Sequence, residues 1–142
     1  MTQARQLLFA YLAALLCFLA LDACWLTLMG PRLYRPVLGA LMAEQPDWLA
    51  AGLFYPLYLL GLLVFAIVPG LEAGAARPAL WRGALFGLVA YATYDLTNQA
   101  TLRGWSWTVT LADLAWGACV SGCAAWMAVR LTCRPGNRTS AR

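Results

Sequence analysis

Three aspartates stand inside long apolar runs of this chain: Asp22, Asp95 and Asp113. An ionisable group in such a run is costly, and by default it marks a functional site. Asp95 sits in the stretch Tyr91-Ala92-Thr93-Tyr94-Asp95-Leu96-Thr97-Asn98. On a helix, steps of three and four residues put Tyr91, Tyr94, Asp95 and Asn98 on one face. Trp25 follows Asp22 and Trp116 follows Asp113 at the same offset. Tyr55 and Tyr58 lie in the remaining apolar run, so every run contributes to one candidate binding site.

Aromatic faces and carboxylates both attract cations. Carboxylates brought close together titrate as a coupled set. Tyr55, Tyr91 or Asn98 can donate to whichever carboxylate is ionised, and Arg32, Arg35 or Arg103 could reach down to pair with one. Paired carboxylates can also act as general acid and base. The rest of an enzyme's equipment is missing, however. There is no histidine, no serine or cysteine beside a base, and no phosphate-cradling loop. The residues therefore favour no catalytic set, no cofactor and no metal, an all-aspartate divalent site being the one metal option. Cys17, Cys24, Cys119, Cys123 and Cys133 include no Cys-x-x-Cys pair. Cys119 and Cys123 share a helix face, but two thiols make no usual ligand set, and the cysteines read as small hydrophobes.

The elements that position these residues follow from composition. Apolar residues make up 63% of the chain and charged residues 11%, against roughly a quarter charged in a soluble domain. A bilayer core needs about 20 helical residues. Four runs meet that length, at about 6–29, 47–71, 79–102 and 105–131. The first is long enough to be a retained helix rather than a signal peptide. The expectation is an all-α integral membrane four-helix bundle, one domain over 1–131, followed by a basic, disordered cytoplasmic tail over 132–142. Between the first two spans, Gly30 to Pro46 reads as a connection. Within it Tyr34, Leu38, Leu41 and Met42 fall at helical spacing, as a short interfacial helix would have them. Asp47 is the expected N-cap of the second span. Pro56 kinks that span, and Pro69-Gly70 ends it.

The ten basic residues are all arginine and sit at the ends of the runs, which argues for topology signals rather than a nucleic-acid surface. Arg5, Arg77, Arg82, Arg130, Arg134, Arg138 and Arg142 fall on the terminal side, and Arg32, Arg35 and Arg103 on the other. That bias places both termini in the cytoplasm of a multi-pass protein of the bacterial inner membrane. At 1.5 Å per residue, the three aspartates and the tyrosines of the second run then lie roughly 10 Å below the outer interface. Gly83 with Gly87, and Gly117 with Ser121, are small-residue pairs that let helices approach closely. They are the expected surface for a homo-oligomer.

Leu21-Asp22 with Trp25-Leu26, Phe54-Tyr55 with Tyr58, Tyr91 through Asn98 followed by Ala100-Thr101-Leu102 and Trp105, and Asp113 with Trp116-Gly117 resemble a family of small bacterial four-helix membrane proteins, domain of unknown function 2177. The resemblance covers nearly the whole chain apart from the arginine-rich tail. It implies an integral membrane protein of four helices and implies no activity.

Three functions compete. The residues favour a protein that binds or transports a small cationic or amphipathic solute, with the lipid bilayer and an unknown small molecule as its partners. The second reading is an accessory subunit whose polar layer is internal glue, since single polar residues often only hold bundles together. The third is a membrane-embedded enzyme acting on a lipid.

Overall fold

In a computed structural model of the chain, residues 2–39 and 41–133 are described, and they are all-helical with no strand among them. Four long helices account for nearly all of it. We label them α1 (Gln3–Leu38), α2 (Trp48–Glu72), α3 (Ala76–Thr101) and α4 (Trp107–Thr132). Helices α1, α2 and α4 are each long and apolar enough to cross a membrane.

Helix α3 matches them in length, with 26 residues, but carries more polar side chains. Its threonines resolve the difficulty locally. Thr93 Oγ1 donates to the Val89 carbonyl at 2.8 Å, and Thr101 Oγ1 to the Thr97 carbonyl at 2.8 Å. Each hydroxyl is thereby satisfied within its own helix.

The end of the first helix differs from the sequence expectation. Helix α1 does not stop at Gly30-Pro31 but runs on through a π-helical turn, Gly30–Tyr34, into Arg35–Leu38. Helix α2 passes Pro69-Gly70 without a break and ends at Glu72, one residue beyond the expected span, after a π-helical turn over Leu63–Ile67. Both widened turns end two residues before a proline, Pro36 and Pro69. A proline ring collides with the carbonyl four residues back in a regular helix. In the wide turn the N–H of Arg35 reaches the carbonyl of Gly30, and that of Val68 the carbonyl of Leu63. The helix opens to admit the ring instead of breaking.

The caps fall where short polar side chains allow them. Asp47 accepts from the N–H groups of Leu49 and Ala50 at 2.9 and 3.1 Å, as its position before Trp48 led us to expect. Ser106 caps α4 through the N–H of Thr108 at 3.1 Å. Gly74 and Gly104 adopt positive φ of 62° and 80° in the turns that flank α3, a conformation that favours glycine.

The tightest interface joins α3 and α4, with α1 against α4 next. A Cβ on Gly83 would lie 2.7 Å from the Ser121 carbonyl oxygen and 2.8 Å from Ala125 Cβ, and one on Gly87 would overlap the Gly117 carbonyl. The small-residue pairs are thus consumed within one chain. Gly83, Gly87, Gly117 and Ser121 are all buried and present no surface to a second copy. The C-terminal half of α2 packs on α3 and α4 through Leu63–Ile67. The core around Phe18, Leu59, Leu62, Ile67, Val120 and Val129 lies toward that half. The aromatic and acidic residues collect toward the opposite end of the bundle.

Candidate functional site

Asp22 is set on the inward face of α1, one turn before Trp25. Its Oδ2 accepts from the Tyr55 hydroxyl at 2.7 Å and its Oδ1 from the indole N–H of Trp116 at 3.2 Å. One carboxylate thus ties α1 to α2 and α4. On α4, Asp113 accepts a short hydrogen bond from the Tyr34 hydroxyl, and that hydroxyl accepts in turn from the indole N–H of Trp25 at 2.7 Å. The two Asp-x-x-Trp pairs are therefore crossed. Trp116, from the Asp113 pair, binds Asp22 directly; Trp25, from the Asp22 pair, reaches Asp113 through Tyr34. The indole rings stack between them, with centroids 4.5 Å apart and planes 6° from parallel.

Tyr58 projects from α2 to share a 2.7 Å hydrogen bond with Ser121 Oγ, deep in the bundle. Its ring meets Tyr91 edge-on at 6.3 Å. The Tyr91 ring in turn lies directly over Gly117, where a Cβ would collide with it. Tyr94 packs edge-on against Trp105 at 5.8 Å. Trp105 is held at the α3–α4 turn by Thr110, which receives its indole N–H at 3.1 Å and donates to Gln99 Oε1 at 3.2 Å.

These side chains enclose a cavity of about 550 Å³, within the usual range for small-molecule sites. Asp22 and Asp113 stand in its wall, with Trp25, Tyr58, Tyr91, Tyr94 and Trp116. No arginine is among its described lining residues, so neither Arg32, Arg35 nor Arg103 supplies a counter-charge there.

Three of the residues singled out from sequence lie outside the lining. Tyr55 stands behind Asp22 as its donor. Asp95 faces into the protein, fully buried, and neither of its oxygens has a hydrogen-bond partner among the described residues. Asn98 is half-buried one turn beyond it. The helix-face argument correctly grouped these residues on α3, but spacing alone does not say which part of a face meets a cavity.

Tyr34 and Trp105 are the functional-site residues that sequence reasoning passed over as such. The signal for Tyr34 was present. The helical set Tyr34, Leu38 and Met42 reads as an interfacial stripe, yet the structure turns it over the cavity, where all three line the roof. The π-helical turn rotates Tyr34 inward by carrying α1 past Pro31.

With the site described, comparison with known proteins adds one finding. Residues 7–130 match the family described as predicted membrane protein, DUF2177. The chain belongs to that family. The match contains every lining residue of the cavity, so DUF2177 is the setting in which the site is to be understood. No curated protein and no solved structure gives a significant match. No metal-holding group of three or more His, Cys, Asp or Glu side chains occurs among the described residues.

Proposed function

We propose that this is a multi-pass protein of the bacterial inner membrane that binds, and by extension carries, a small cationic or amphipathic solute in the cavity. Both termini lie in the cytoplasm in this reading, and the cavity lies near the outer face. The observation that carries it is the pair Asp22 and Asp113 in an aromatic wall with no basic side chain among its described residues. Charge in a wall of low polarity calls for a compensating charge. A ligand cation supplies it, and the indole and phenol faces add attraction of about 0.5–2 kcal/mol each when desolvated.

The test is thermal unfolding of the purified protein, titrated with hydrophobic amines and with neutral alcohols of the same shape. An amine at about 100 times its Kd adds roughly 2.7 kcal/mol of stability, and Asp113→Asn removes that gain. Equal stabilisation by the alcohols overturns the reading.

One observation favours the accessory-subunit alternative. Asp22 joins three helices through its two bonds, as internal glue would. If Asp113→Asn leaves ligand response intact and no amine stabilises the protein, that alternative takes precedence.

A further inference from the structure

The rim of the cavity differs in chemistry from its interior. Asp22, Leu38, Tyr58 and Asp113 are buried lining residues, whereas the exposed ones are Leu26, Met42, Phe54 and Tyr94. The two carboxylates are thus deep, and the exposed lining is apolar except for the Tyr94 hydroxyl. Two of these exposed lining residues stand on different helices. Phe54 is on the outer half of α2 and is 44% exposed; Tyr94 is on the outer half of α3 and is 61% exposed. The two helices meet at Tyr58 and Phe86, whose rings are 5.2 Å apart, and at Gly61, where a Cβ would lie 2.7 Å from Phe86 Cζ. Beyond that point, toward Trp48, α2 makes little contact with α3. Phe54 and Tyr94 therefore line the cavity, both exposed, where these two helices hold each other least.

At membrane depth, the side of the bundle is lipid. We infer that the cavity takes its ligand laterally from the bilayer, and that the ligand is a single-chain amphiphile with a cationic head. The head sits against Asp22 and Asp113, and the chain leaves between Phe54 and Tyr94 into the surrounding acyl chains. This rests on the cation reading above and adds the ligand class and the route. Charge complementarity selects the head, since two carboxylates with no lining arginine disfavour an anionic one. The apolar rim selects the tail, since a hydrated ion would gain nothing from Leu26, Met42, Phe54 and Tyr94. The volume selects the size: about 550 Å³ holds the head and the upper chain, and the open side removes any limit on the chain beyond.

The experiment uses the full chain in lipid nanodiscs and alkylammonium ions of increasing chain length, each with a photoreactive group at the chain end. Lateral entry predicts that apparent affinity from water keeps rising with length, by about fourfold per methylene, the fold-change equivalent of about 0.8 kcal/mol, with no cut-off. It also predicts that long chains label the facing parts of α2 and α3 around Phe54 and Tyr94, and that Asp113→Asn weakens the labelling at least tenfold. A sharp cut-off in length, with label on the outer turn at 102–106, overturns lateral entry and leaves the cation reading standing. Undiminished labelling in Asp113→Asn shows simple lipid exposure of the two helices and overturns the inference. Saturable binding by none of the amines overturns the cation reading and this inference together.

Discussion

Asp22 and Asp95 are chemically the same residue, but they do opposite things to stability. Asp22 satisfies two donors, the Tyr55 hydroxyl and the Trp116 indole. Asp22→Ala leaves both bare inside the bundle. Hydrogen bonds between membrane helices average about 0.6 kcal/mol with a maximum near 1.7, and a stranded buried donor adds to that. We expect a loss of about 2 kcal/mol in unfolding of the purified variant. Among the described residues Asp95 satisfies nothing, and both its oxygens are buried without a partner there. Asp95→Leu removes an unmet desolvation cost of about 1–3 kcal/mol, and the variant should be more stable by a similar amount. A loss matching that of Asp22→Ala would sink the contrast. The sequence places both aspartates on long helices, and does so correctly. It does not distinguish them, because the distinction lies in which neighbours arrive from other helices.

At the scale of elements, the glycines show which helix faces are occupied. Gly87 faces the Gly117 carbonyl so closely that Gly87→Ala must push α3 from α4; overpacking of this kind costs about 1–3 kcal/mol. Gly52, in the outer half of α2, has nothing within 4 Å of a built Cβ. Gly52→Ala should therefore be neutral or stabilising by up to about 1 kcal/mol, through the reduced freedom of the unfolded chain. Parallel unfolding curves for the two variants check both signs. Four helices were legible because apolar run length is a local property, and so was the cap at Asp47. The end of α1 was not, nor were the widened turns in α1 and α2. Gly30-Pro31 and Pro69-Gly70 are stop signals by local rules, yet a π-helical turn absorbs Pro36 and another absorbs Pro69. Gly70 then serves packing instead of termination: a Cβ there would lie 2.7 Å from Ala79 Cβ on α3.

For the whole molecule, the proposed topology puts the start of α1 and the end of α4 on one side of the membrane, which the arginine distribution would make the cytoplasm. A reporter active only in the cytoplasm should therefore work when fused to either terminus, and should fail when inserted near Gly104. Activity of the insertion at Gly104 would invert the topology and put the cavity at the inner face. The sequence by itself determined that this chain is a membrane protein of four long helices, with Asp22 and Trp25 one turn apart on the first and Asp113 and Trp116 one turn apart on the last. Run length and the helical repeat are properties of neighbouring residues, so they can be counted along the chain. Only the tertiary structure decided that the two tryptophans cross to each other's aspartates, that Tyr34 folds back onto Asp113, and that Asp95 stays behind the wall. Those outcomes depend on the rotation of each helix about its own axis, which side chains from distant segments set by packing.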